Sequence, residues 1–98
     1  MPRPEFISSE DIARWDDVIS KSMQPDLANN LLLKEAIYAG QWLGEQLTSL
    51  ECDDASIGRI LYTAGQMSFG RDPWEVSFAL LKAYRDNELV YEDNFSIN

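Results

Sequence analysis

Residues Leu31–Leu50 read LLLKEAIYAGQWLGEQLTSL, and the reading of this stretch decides the fold. Leu32, Ala36, Ala39, Leu43, Leu47 and Leu50 recur at helical spacing, and Leu33, Ile37, Gly40, Gly44 and Leu47 make a second apolar stripe beside the first. Only Lys34, Gln41, Glu45 and Thr48 keep a narrow polar face. A helix that is apolar around most of its girth has to be surrounded by other helices. This segment is therefore expected at the centre of an all-α bundle, with Asp26 or Asn30 as its N-cap. The charges of Lys34, Glu35 and Glu45 within the run exclude a membrane span.

The same stretch carries a puzzle. Gly40 and Gly44 lie inside a helix, where each costs roughly 1 kcal/mol relative to alanine. With Ala36 they recur every fourth residue and form one smooth strip; Ala64, Gly65 and Ser68 offer a similar one downstream. The expected reason is a close crossing of the two helices, in which backbone approach adds dispersion contacts. The alternative is an intermolecular contact, with a second copy of the chain (a homodimer) as a candidate partner. A phosphate-cradling loop is not indicated, since no Gly-Lys-Ser/Thr follows.

Working outward, Ile7-Ser8-Ser9-Glu10-Asp11-Ile12 reads as a helix start, with Ser8 as cap, Asp11 three residues on and an Ile7–Ile12 staple. Ile12, Trp15, Ile19 and Met23 form its apolar stripe, while Glu10–Arg14 and Asp17–Lys21 are spaced for ion pairs. This helix must end before Gln24-Pro25. After the central helix, Asp54 is expected to cap a third helix running through Phe69, with Gly70 closing it. Asp72-Pro73-Trp74-Glu75 is the strongest local signal, an aspartate cap followed by proline at the first helical position. The fourth helix runs to about Asp86 and buries Trp74, Phe78, Leu81 and Tyr84. The expectation is one helical domain over residues 1–98, a compact bundle of about four helices with short connections. Residues 1–7 and 88–98 are expected to be extended or flexible ends, the latter an irregular C-terminal tail.

Composition limits the chemistry. Hydrophobic residues make up 45% of the chain and aromatic residues 11%, enough to build a core. Eight basic residues stand against seventeen acidic ones, a net charge of −9 that disfavours direct contact with nucleic acid or an anionic membrane. There is no histidine, so the usual base of a Ser-His or Cys-His triad and the commonest metal ligand are both missing. The single cysteine, Cys52, forms no intrachain disulfide and sits among acids that oppose a reactive thiolate, which fits a reducing, cytoplasmic setting. The acids Glu51, Asp53 and Asp54 do not follow calcium-loop spacing and are read as capping residues, with no metal and no cofactor. The third-helix–turn–fourth-helix unit has a helix-turn-helix outline, but Asp72 and Glu75 open its second helix, where DNA contact needs neutral or basic residues.

What remains is aromatic supply. Core packing is the default for Trp15, Trp42 and Trp74; Trp42 borders the polar face near Tyr38 and Gln41, and an exposed Tyr38–Trp42 pair is the candidate hot spot for a protein partner. Tyr91, Glu92, Asp93 and Phe95 are candidates for a docking segment that enters a basic, aromatic-lined groove, the alternative being a tail that folds back over the bundle or frays. The function expected from the sequence is that of a small acidic non-enzymatic protein that binds another protein as an adaptor, regulator or inhibitor. The alternative is an acidic nucleic-acid mimic, or antitoxin-like inhibitor, blocking a DNA- or RNA-binding protein. That alternative needs the uncommitted acids Asp16, Glu35, Glu45, Glu88, Glu92 and Asp93 to share one face.

Overall fold

The computed structural model describes residues 3–22 and 24–86. Within them the chain forms α1 (Ser9–Ser22), a single turn α2 (Pro25–Ala28), α3 (Leu31–Ser49), α4 (Asp54–Met67) and α5 (Pro73–Arg85), with no strand among the described residues. The all-α bundle read from the periodicity is the observed architecture. α3 is its axis: it packs against each of the other four helices, while α4 and α5 also pack on one another. The apolar girth of α3 is the cause. Ala39, Leu43 and Leu47, which follow one another at four-residue spacing along a single face, have no solvent exposure.

The caps explain where the helices begin. Ser8 Oγ accepts the Asp11 N–H at 3.1 Å, and an Asp11 carboxylate oxygen accepts the Ser8 N–H at 3.3 Å, a reciprocal capping box that opens α1. Of the two expected starts for the central helix, Asn30 is the cap, its Oδ1 accepting the Leu33 N–H at 3.0 Å. Asp26 lies instead in the first turn of the separate α2. Asp72 caps α5 through the Trp74 N–H at 2.9 Å, with Pro73 at the first helical position. The cap of α4 differs by one residue from expectation. Asp53, in extended backbone, accepts the Ser56 N–H at 3.2 Å, and Asp54 is already helical. α4 also ends earlier, at Met67, before a turn in which Gly70 takes φ +72° and Phe69 is left exposed.

The core is built on tryptophan. Trp15 and Trp74 are each 1% exposed. Trp42 lies 4.6 Å from the Phe78 ring and 6.2 Å from the Trp74 ring, centroid to centroid. Phe6 closes this cluster, 6.1 Å from both Trp42 and Phe78. Residues 3–7 are thus not a free end: Ile7 is buried, and Arg3 bonds Glu35 and covers the Tyr38 ring at 5.2 Å. One aromatic ring, one buried isoleucine and a charge hold this arm on the bundle, and a scan for helical period does not detect that kind of attachment.

Candidate functional site

Two glutamates of α3 tie the buried tryptophans to the arginines at the surface. Glu35 accepts the Trp74 indole N–H at 2.8 Å and a bond from Arg3. Glu45 accepts the Trp15 indole N–H at 2.9 Å and a bond from Arg14 at 2.8 Å. A buried indole N–H needs an acceptor, and each glutamate supplies one while a guanidinium balances its charge. Arg14 therefore turns inward to Glu45 and Asp11, away from the Glu10 expected to pair with it, whereas Lys21 and Asp17 pair as their spacing implies, at 2.8 Å. Asp16 accepts the Tyr38 O–H and lies 3.4 Å from Lys34 Nζ. Burial first, then this bond to a carboxylate, pushes the Tyr38 phenol up to about 12. Asp16, Glu35 and Glu45 are consequently committed to partners within the chain and do not form an uncommitted acidic face. Glu88, Glu92 and Asp93 lie outside the described residues.

The expected aromatic hot spot is also internal. Tyr38 is 4% and Trp42 7% exposed, because both rings turn from the polar border into contact with Trp15 and with Trp74 and Phe78 respectively. They are core residues and present no paired aromatic surface. Tyr91, Glu92, Asp93 and Phe95, the other candidate partner-binding residues, lie outside the described residues, as does Met23. Cys52 is buried, and its hydrogen bond to Tyr84 is the main reason the Tyr84 hydroxyl sits above the usual phenol range. Among the described residues no three Cys, Asp or Glu side chains gather where they could hold a metal ion. No described helix is long and apolar enough to cross a membrane.

What the structure does bring together is the strip of small residues. The close crossing expected there occurs only at Gly44, where a Cβ would meet the Leu61 side chain at 3.6 Å. A Cβ on Gly40 or Gly65 would meet no heavy atom within 4 Å. The glycines face the floor of an open, largely apolar groove of about 990 Å³ between α3 and α4. Leu33, Ala36 and Ile37 from α3 and Ile57, Leu61 and Ala64 from α4 line it. At the end away from the α3–α4 connection stand Leu31, Leu32 and Phe69, which are 77%, 86% and 81% exposed. Sequence pattern marked this strip as a packing face; the missing information was which helix, if any, covers it. A second hollow, between the N-terminal arm, α3 and α5, is bordered by Asp11, Glu45, Lys82, Arg85 and Asp86 over the aromatic cluster. Its mouth is charged, and its floor belongs to the core already described. Compared with protein-family models, curated proteins and solved structures, the chain matches none of them.

Proposed function

We propose that the protein is a small acidic, non-enzymatic, cytoplasmic binding protein, acting on another protein as an adaptor, regulator or inhibitor, and that the α3–α4 groove is its binding surface. The observation that carries this reading is a contiguous apolar surface left open along two helices, bounded by leucine and phenylalanine side chains that are more than three-quarters exposed. An apolar patch of this kind on a charged protein marks an interaction site. The chemistry of the remainder agrees. There is no histidine, and the α3 carboxylates Glu35 and Glu45 are held by indole and guanidinium partners. Groups fixed in that way hold the fold together.

Gly40→Leu tests the proposal. A Cβ at Gly40 meets no neighbouring heavy atom within 4 Å, so a side chain there projects into the groove, and the substitution removes a glycine from a helix interior; the variant should melt higher than the wild type, by up to about 1 kcal/mol of added stability. Immobilised wild-type protein should retain a partner from source-cell lysate that the Gly40→Leu protein loses at least tenfold. Equal retention by both proteins, or none by either, would remove the groove from consideration.

A further inference from the structure

We infer that residues 3–6 form a strap that swings as one piece about Ile7, with the Arg3–Glu35 pair as its clasp, and that its opening uncovers the aromatic face of Trp42 and Phe78 while the helices beneath stay folded. This inference concerns the side of α3 that meets α5 and does not depend on the α3–α4 groove.

Attachment is the first argument. Among the described residues the strap makes no backbone hydrogen bond to any helix; the one backbone bond here, from the Ile7 N–H to the Pro4 carbonyl at 3.1 Å, stays within the arm. Arg3 and Phe6 supply its charged and aromatic contacts. Arg3 bonds Glu35 and lies 5.2 Å from the Tyr38 ring centre, and the Arg3 and Glu35 side chains are 39% and 32% exposed. Phe6 rests 6.1 Å from the Trp42 and Phe78 ring centres, yet remains 62% exposed. An ion pair open to water is weak, and a ring that keeps most of its surface in solvent gains little from burial. Segments fastened by few buried contacts open at far less cost than the whole fold.

The hinge is the second argument. Ile7 is buried, and Ser8 begins the capping box of α1. Rotation about the N–Cα bond of Ile7, one of its two soft torsions, carries residues 3–6 along together with the turn that joins Pro4 to Ile7. It leaves the Ile7 side chain seated and the cap of α1 intact.

What lies beneath is the third. The Trp74 indole N–H bonds Glu35 at 2.8 Å, a contact that does not involve the strap. Trp42 keeps Phe78 at 4.6 Å and Trp74 at 6.2 Å without help from Phe6. Lifting the strap therefore strips cover from Trp42 and Phe78 and leaves both anchored from below. Phe6 is also one wall of the hollow of about 860 Å³ between the arm, α3 and α5, so the uncovered face and that hollow become continuous. The opened state presents an aromatic surface that the closed state lacks.

The experiment follows the three indole N–H signals of the intact protein by nuclear magnetic resonance, with Phe6→Ala as the reference for an uncovered Trp42. As sodium chloride rises from about 20 mM to about 1 M and screens the clasp, the wild-type Trp42 signal should travel toward the Phe6→Ala position by at least a third of the separation. The Trp15 signal should stay in place, and the Trp74 N–H, still bonded to Glu35, should exchange with solvent no faster. Arg3→Gln should begin part of the way along and respond to salt at least threefold less; if Phe6→Ala does not fold, Arg3→Gln takes its place as the reference. A wild-type Trp42 signal that salt leaves in place would show that the pair is no clasp. One that moves only as Trp74 N–H exchange accelerates in step would show that strap and core open together. Either result overturns the inference.

Discussion

Glu35 carries more of the fold than its place on an amphipathic helix suggests. It is the acceptor for a tryptophan that is 1% exposed and the anchor for the arginine of the N-terminal arm. Removing it strands the Trp74 N–H, and an unsatisfied buried donor costs about 1–3 kcal/mol. Glu35→Ala should lower the urea midpoint accordingly, and Glu35→Gln, which keeps an acceptor oxygen, should recover most of the loss. Tyr38 gives a second test at this scale. Its folded-state pKa, about 12, lies above the unfolded value near 10. The unfolded chain releases that proton first, so the contribution is complete below pH 10 and disappears as pH rises through 12. Tyr38→Phe should flatten the alkaline limb of a stability–pH curve; an unchanged limb would show that the phenol does not titrate differently on folding. Neither role was legible in the sequence. The pattern placed Glu35 and Tyr38 on the correct helix, but an acceptor for an indole far along the chain has no local signature.

At the scale of elements the sequence was far more informative, because caps and helical period are local chemistry. Ser8, Asn30 and Asp72 cap as their positions imply, and Pro73 opens α5. Asp72→Ala should destabilise the protein by about 1 kcal/mol, with hydrogen exchange speeding first at Trp74 and Glu75. Uniform acceleration across α3 and α5 would mean that the cap and the core are not separable. The errors were equally local in kind. Two adjacent aspartates, Asp53 and Asp54, offered two registers for one cap, and only backbone geometry chose between them. The end of α4 was placed late because Phe69 fits the apolar period, yet the turn through Gly70 throws that ring outward. The strip of glycines and alanines, read as a close crossing of two helices, meets the other helix at Gly44 and faces open space at Gly40 and Gly65.

At the scale of the whole molecule, α1, α3, α4 and α5 all contribute buried side chains to one core, and the central helix turns a second side to an unfilled channel. Most globular domains close such a channel with a helix of their own, and here the residues described do not. The uncovered leucines and Phe69 make contact between molecules attractive, and the net charge of −9 opposes it by mutual repulsion. The colloidal behaviour of the protein is set by that balance. Near its isoelectric point of about 4.2 the repulsion vanishes, and in concentrated salt it is screened to a few ångströms, so the protein should cloud or cluster under either condition. In dilute neutral buffer it should stay dispersed as a monomer.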